Sequence, residues 1–308
     1  MSRRLLAASV AVAGAVGVSA VLLLAGPSEA EAGWERAASM SQRRSYVAAA
    51  ELGRFLYAAG GMVGETGRPL ATFARYDTRA DRWEVLPQLP EPTRAAAAGA
   101  LGRRIYVVGG TRASGNTTAT WAYDPSRRRW ASRAPLPAAR FNHGAVALGG
   151  RLWTLGGFAE GLERREVFSY DPADDRWTLA TRLPRPTHAF GVVAFEGELW
   201  VLGGRRGEDN LREVWILDPV TLVWRAGPPL PKPMELLGAT VDGDEIHAVW
   251  ESTYQIYDGR TKRWRDGPTP LVTRHALEAF AVDGVLYTVG GCTTALRDSP
   301  IVERLRIS

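Results

Sequence analysis

Arginine and histidine side chains recur just before segments of small residues. Arg140 and His143 precede Gly144–Leu148, with the sequence GAVAL, and His188 precedes the similar segment Gly191–Phe195. An imidazole can bind a metal or transfer protons near neutral pH, and a guanidinium group forms paired hydrogen bonds with a carboxylate or phosphate. Whether these side chains act together depends on the elements that hold them.

Glycine doublets, tyrosine–aspartate pairs and tryptophans repeat along the chain in a fixed order. The doublets begin at Gly60, Gly109, Gly156, Gly203 and Gly290, and each follows an apolar run. A Tyr-Asp or Leu-Asp pair recurs in five units, and seven residues after its first member comes Trp83, Trp130, Trp177, Trp224 or Trp264. The first four doublets are spaced 49, 47 and 47 residues apart, which indicates a repeat architecture.

This order of motifs resembles the kelch repeat, each copy of which builds one four-stranded blade of a β-propeller. The resemblance covers essentially everything after Gly33. The small-residue segments suit strands crowded around a central axis, so we expect them to be the innermost strands. We predict an all-β, six-bladed kelch-type propeller over residues 33–308. The predicted blades are approximately 42–91, 92–138, 139–185, 186–232, 233–270 and 271–308.

Two repeats depart from the pattern. Blade five lacks the doublet, and alignment places Val249 and Trp250 where the glycines are expected, with only a short link at residues 251–253. In blade six no tryptophan follows the third strand, whereas Trp34, six residues before Met40, reproduces the usual tryptophan-to-leucine spacing. We therefore predict that residues 33–41 form the outer strand of blade six and close the ring.

The N-terminal segment has the organisation of an export signal. Ser-Arg-Arg at residues 2–4 precedes an apolar stretch at 5–26, and Ala-Glu-Ala at 30–32 fits a cleavage site. We predict a signal peptide at 1–32, and the alternative is an uncleaved membrane anchor. Either would make the protein secreted, periplasmic or attached to the cell surface, and any membrane contact would be through this segment alone.

Composition excludes several classes of function. Hydrophobic residues make up 45% and charged residues 23% of the chain, which is typical of a folded globular domain. The arginines form no continuous basic face, which argues against nucleic-acid binding. The single cysteine, Cys292, rules out an intramolecular disulfide and a cysteine-based zinc site. We expect a monomer.

Antiparallel blades place the links between blades and the links between second and third strands on one face, which we call the loop face. Long loops on a rigid scaffold commonly carry function. We predict that ligand-binding residues at this face surround the central channel. They are Arg44, Arg94, Arg140, His143, His188, Arg205, Arg206, Arg274 and His275. Since arginine pairs with anions, an anionic small molecule or acidic peptide is the expected ligand.

Part of this set has an alternative role. The kelch resemblance implies that Arg44, Arg140 and Arg274 occupy the place of a frequent motif arginine that bonds loop carbonyls. The histidines come from different blades and need not converge, so we expect no metal site.

The resemblance implies three classes of function. The first is a binding module for a protein or an anionic ligand, including a carbohydrate. The alternative is a non-redox enzyme similar to the exported bacterial kelch-type sialic acid mutarotases, with Glu235 or Glu251 as weak candidates for an acid or base beside Arg205 or Arg206. The third, a copper-radical oxidase similar to galactose oxidase, is disfavoured because Cys292 lies in a different kind of loop. We therefore expect no cofactor.

Overall fold

The computed structural model describes residues 33–64, 67–293 and 297–307. These residues form strands and turns, and none of them forms a helix. Within that part of the chain, accordingly, no helix is long and apolar enough to span a membrane. The predicted signal peptide or anchor at 1–32 lies outside the described residues.

Six four-stranded antiparallel sheets form the blades of the propeller. From the axis outward, blade one contains Ala48–Leu52, Phe55–Ala59, Phe73–Asp77 and Arg82–Val85; blade two contains Ala97–Leu101, Arg104–Val108, Thr120–Asp124 and Arg129–Arg133; and blade three contains Gly144–Leu148, Arg151–Leu155, Glu166–Asp171 and Arg176–Arg182. Blade four contains Gly191–Phe195, Glu198–Leu202, Val214–Leu217 and Trp224–Ala226, and blade five contains Gly238–Asp242, Glu245–Trp250, Thr253–Asp258 and Arg263–Asp266. The predicted six-bladed fold is confirmed.

Strands from both ends of the chain share blade six. Its strands, from the axis outward, are Glu278–Val282, Val285–Val289, Val302–Arg306 and Glu35–Ala37. The outer strand pairs antiparallel with its neighbour, with Glu35 opposite Arg304 and Ala37 opposite Val302. The predicted closure of the ring by the N-terminal strand is therefore confirmed.

Tryptophans at the start of the outer strands link neighbouring blades. The indole N–H of Trp34 donates to the carbonyl of Pro268, just after blade five, at 2.7 Å. The indole of Trp83 in blade one donates to the carbonyl of Ala38, just after the outer strand of blade six, at 2.9 Å. Trp130, Trp177 and Trp264 make the same kind of bond to the blade before their own. The apolar cores lie between blades, and these bonds fix their outer margins.

The glycine doublets allow backbone segments of neighbouring blades to approach closely. Gly109 and Gly110 both adopt left-handed backbone conformations, with φ of 64° and 96°. A Cβ atom on Gly109 would lie 2.8 Å from the carbonyl oxygen of Arg140, which accepts a hydrogen bond from the amide of Gly110. Only glycine fits this position without a shift of the backbone.

Short hairpins extend from the loop face in every blade except blade five. They pair Met62–Val63 with Arg68–Pro69, Thr111–Arg112 with Gly115–Asn116, Phe158–Ala159 with Leu162–Glu163, Arg205–Arg206 with Asp209–Asn210, and Cys292–Thr293 with Arg297–Asp298. In blade five, Thr253 pairs directly with Trp250, so the second and third strands join through a two-residue turn.

The register of blade five differs by one residue from the sequence alignment. Val249 pairs with Gly238, as the residue before the doublet pairs with the first inner-strand residue in the other blades. Trp250 and Glu251 therefore occupy the doublet positions, in place of Val249 and Trp250. The amide of Glu251 donates to the carbonyl of Arg274 at 2.7 Å, the bond that the second glycine makes elsewhere.

Candidate functional site

Six residues in the left-handed conformation surround the axis where the chain enters the inner strands. They are Tyr46, Ala95, Asn142, Ala189, Leu236 and Ala276, with φ between 46° and 57°. We call them the mouth ring. The amide of each of the last five donates to the carbonyl of the preceding member, at 2.6 to 3.0 Å. Between the described residues Ala276 and Tyr46 this bond is missing, so the ring is open between blades six and one.

Three of the predicted ligand-binding arginines are buried beneath this ring. Arg44, Arg140 and Arg274 are at most 1% exposed. Arg44 donates to the carbonyls of Gly60 and Thr72 at 2.9 and 2.8 Å, and the other two arginines bond the equivalent carbonyls of their own blades. Their donors hold the loops in place and do not face a ligand. The geometry gives them the structural role implied by the kelch resemblance rather than the expected role in ligand binding.

The side chain of Tyr46 lies over the mouth. Burial, with smaller contributions from Cys292 and Glu235, raises the pKa of its hydroxyl to about 12, and Arg94 and Arg205 oppose this shift. Groups from four different blades thus act on one phenol oxygen. An aromatic residue with φ of 51° is uncommon and strained, and such strain is concentrated at functional sites. Tyr46 was not among the predicted ligand-binding residues; the signal was a bulky residue where three other ring positions have alanine.

Arg94 lines a pocket beside Tyr46. The pocket has a volume of about 240 Å³ and is also lined by Phe141 and Asn142. The Arg94 side chain is half-buried, and its Nη1 lies 3.3 Å from the sulfur of Met62. Among the described residues it has no carboxylate partner. A half-buried cation that has no counter-ion among the described residues is favourably placed to bind an anion.

Arg205 lies two blades farther round the mouth, in the hairpin of blade four. Its Nη1 is 3.5 Å from a carboxylate oxygen of Glu235, and its Nε donates to the carbonyl of Gly207 at 2.9 Å. The side chain is 38% exposed, so part of the guanidinium group faces solvent. Glu235, one of the two acid–base candidates, is therefore beside an arginine, as the sequence predicted.

His188 completes this sector of the mouth. Its Nδ1 lies 3.7 Å from a carboxylate oxygen of Glu163, and its ring packs against Phe158 with 5.2 Å between centroids. Burial lowers the pKa of His188, although Glu163 opposes that shift, so the imidazole is neutral at neutral pH. Glu163 was not predicted; it comes from the hairpin of blade three and also accepts a bond from the amide of Gly207 at 2.6 Å.

A second histidine lies on the far side of the mouth. His275 Nε2 is 3.0 Å from the Cys292 sulfur, and its Nδ1 is 4.0 Å from Glu251. Cys292 is fully buried, and burial, followed by the charge of Asp298, raises the pKa of its thiol to about 11. The thiol is therefore protonated and shielded, in contrast to a reactive cysteine.

Two further predicted residues lie away from this cluster. An added Cβ on Gly109 would lie 2.8 Å from His143 Cε1, so His143 is wedged between blades, and burial, with Arg140, lowers its pKa to about 3. Arg206 pairs with Glu213 at 3.0 Å on the outer side of the hairpin. In the described part of the chain, no three His, Cys, Asp or Glu side chains are grouped so as to bind a metal ion.

The fold and the mouth define a closed six-bladed propeller of kelch type. A family model described as the KLHDC2/KLHL20/DRC7 Kelch-repeats domain matches residues 46–249. The chain therefore belongs to the kelch-repeat family.

Curated relatives and a solved structure agree with this assignment. The chain is 30% identical over 92 residues to Kelch-like protein 15 of Gallus gallus and 36% identical over 93 residues to Kelch-like protein 33 of Homo sapiens. Each match covers 30% of this chain, but only 18% and 17% of those relatives. A structure titled "Structure of YjhT" superposes with a TM-score of 0.73 at 15% identity, over 85% of this chain and 94% of that one. At that identity the likeness concerns the fold alone.

Proposed function

We propose that this chain is a binding module that recognises a carboxylate-bearing ligand at the mouth of the loop face. The observation that carries this proposal is Arg94, half-buried beside Tyr46 and without a carboxylate partner among the described residues. The ligand would be an acidic group of a protein partner or an acidic sugar. We further propose that residues 1–32 export the domain, so that the mouth faces an extracytoplasmic ligand.

The mouth offers donors that match a carboxylate. Arg94 supplies a guanidinium group from blade two, and Arg205 supplies a partly exposed one from blade four. The Tyr46 hydroxyl, whose pKa both arginines lower, is protonated at neutral pH and can donate a hydrogen bond. Hydrogen bonds to a charged acceptor are stronger than neutral ones, and the half-buried setting reduces competition from water.

Calorimetry and thermal shift on the full chain test this proposal. The ligands are N-acetylneuraminate and an acidic peptide, each compared with an uncharged analogue in which the carboxylates are amides. Arg94→Gln should weaken carboxylate binding by about tenfold or more, because hydrogen bonds to charged groups contribute ~1.5–3 kcal/mol. Arg263→Gln, on an exposed outer strand, is the control and should leave affinity unchanged. Equal affinity for a carboxylate ligand in wild type and Arg94→Gln would refute the proposal.

A second candidate function is a non-redox enzyme that acts on an acidic sugar. The neutral imidazole of His188, held 3.7 Å from Glu163 and next to the Arg205–Glu235 pair, favours it by placing acid–base groups beside an anion-binding arginine. Glu251 is farther round the mouth, beside His275. The test is the rate of anomer exchange of N-acetylneuraminate, measured by NMR. If the exchange rate is no faster with the protein than without it, or is the same in His188→Asn as in wild type, the enzyme hypothesis is rejected. The binding module would then be the remaining function.

A further inference from the structure

A cleft lies between blades one and two on the face opposite the loop face. We call this face the turn face, because the turns between first and second strands and between third and fourth strands lie there. The cleft has a volume of about 750 Å³, and most of its exposed lining is apolar. Blade one contributes the apolar side chains Leu52, Phe55 and Tyr57, and blade two contributes the cations of Arg103, Arg104 and Arg127.

Phe55 gives the cleft an aromatic wall at a position that is charged in the next four blades. It is the first residue of the second strand of blade one. The equivalent residues are Arg104, Arg151, Glu198 and Glu245. The Phe55 ring is half-buried, and the guanidinium carbons of Arg54 and Arg75 lie 4.8 and 4.4 Å from its centroid. These cation–π contacts hold the ring beside the cleft.

Arg104, which also lines the cleft, lacks the ion pair that its equivalents make. Its side chain is half-buried and has no ion pair with a described residue, and the same is true of the pairing of its exposed neighbour Arg103. The equivalent side chains in the next three blades each have an ion pair within their own blade: Arg151 with Asp171 at 3.0 Å, Glu198 with Arg225 at 2.7 Å, and Glu245 with Arg265 at 2.6 Å. Blade two departs from this pattern.

The other two arginines of the lining are neutralised. Arg75 pairs with Glu84 at 2.7 Å, and Arg127 Nη1 lies 3.5 Å from a carboxylate oxygen of Asp124. The cleft therefore keeps two positive charges, those of the two adjacent arginines of blade two, beside an apolar wall. A phosphate monoester carries nearly two negative charges at neutral pH, so it matches both cations, whereas a carboxylate matches only one.

We propose that the turn-face cleft binds a phosphate monoester of an aromatic compound. The phosphate would accept hydrogen bonds from Arg103 and Arg104, and the aromatic ring would pack against Phe55 and Leu52. The features that support this site are the two unneutralised guanidinium groups, the apolar wall, and the contrast with the ion pairs of blades three to five. The cleft and the mouth lie on opposite faces, so either proposed site can fail while the other holds.

Isothermal titration calorimetry on the full chain tests the cleft. Phenyl phosphate is the ligand; inorganic phosphate lacks the ring, and benzenesulfonate has the ring with a single charge. We expect one tight site per chain, with affinity for phenyl phosphate about tenfold or more above that for either control, because only phenyl phosphate uses both arginines and the apolar wall. Its affinity should also rise by up to about tenfold between pH 5 and 7.5, since the second ionisation of a phosphate monoester has a pKa of about 6. The affinity for benzenesulfonate should show no such rise.

Matched variants assign the site. Arg104→Gln should weaken phenyl phosphate binding by about tenfold, and Arg103→Gln by about threefold, because Arg103 is exposed and its charge is more strongly screened. Phe55→Ala should reduce the preference for phenyl phosphate over inorganic phosphate. Arg263→Gln, on the outer strand of blade five, and Arg94→Gln, at the mouth, should leave phenyl phosphate binding unchanged.

Four results would overturn the inference. Three are the absence of saturable phenyl phosphate binding to folded wild-type protein at millimolar ligand, equal affinity in wild type and Arg104→Gln, and inorganic phosphate binding as tightly as phenyl phosphate. The fourth is loss of binding in Arg94→Gln but not in Arg104→Gln, which would place the ligand at the mouth instead.

Discussion

Truncation of Trp34 measures how much the closure of the ring stabilises the domain. This side chain is 6% exposed, packs edge-on against Tyr254 with 5.7 Å between centroids, and donates to the carbonyl of Pro268. Trp34→Ala removes these contacts and leaves a cavity between blades five and six. Substitutions of this type cost ~3–5 kcal/mol, which includes the lost hydrogen bond of about 1 kcal/mol.

Urea denaturation followed by tryptophan fluorescence gives this free energy. The matched comparison is Trp177→Ala, because Trp177 is 8% exposed and donates to the carbonyl of Ala134 in the blade before its own. If the interface that closes the ring is as stable as the interface between two other blades, the free energies of unfolding of the two variants should differ by less than about 1 kcal/mol. In thermal melts each should lower Tm by about 10 °C, at ~2–4 °C per kcal/mol for a domain of this size.

One result would refute this account of closure. If Trp34→Ala cost less than about 1 kcal/mol while Trp177→Ala cost ~3–5 kcal/mol, the N-terminal strand would be a dispensable attachment rather than a structural part of blade six. Deletion of residues 33–41 should cost more than Trp34→Ala, because it also removes Met40 and the strand pairing with Val302–Arg306.

Three further predictions concern buried ionisable groups. The pKa of Glu278 is raised by burial to about 8, so the free energy of unfolding of wild type should fall by at most about 5 kcal/mol as pH rises from about 4.5 to 8. Urea denaturation of Glu278→Gln should show no such fall. Arg274→Met should destabilise by ~3–5 kcal/mol in urea, because it leaves the buried carboxylate of Glu303 unpaired; a cost below about 1 kcal/mol would contradict this. Cys292 should react with iodoacetamide at pH 8 only after unfolding in urea, and rapid labelling of the native protein would show that its thiol is accessible.

Much of the architecture was predictable because the signals are local. The Tyr-Asp turn, the glycine doublet and the tryptophan each act within one blade, and they recur with nearly constant spacing. Asp77, for example, caps its turn by accepting bonds from the amides of Arg79 and Ala80. Trp34 carried the same signal at the other end of the chain, so closure of the ring could be predicted without coordinates.

The candidate site was predicted only in part. The sequence placed Arg94, His188, Arg205 and Glu235 at one mouth, and the structure brings them together. The sequence could not show whether an arginine side chain faces backbone carbonyls or the mouth. Arg140 and Arg94 both precede inner strands, but Arg140 lies two residues before its mouth-ring residue and Arg94 lies one before; the first is buried against backbone carbonyls and the second lines a pocket.

The sequence by itself determined the number of blades, their order and the closing strand, because hydrogen-bonding turns and strand periodicity are encoded over a few residues. Only the tertiary structure decided the register of blade five, the left-handed backbone of Tyr46 beside Arg94 and the raised pKa of Glu278 among the inner strands. These features arise where strands distant in sequence meet at the axis. There the exposure and charge of a side chain depend on neighbours from other blades, which local spacing does not specify.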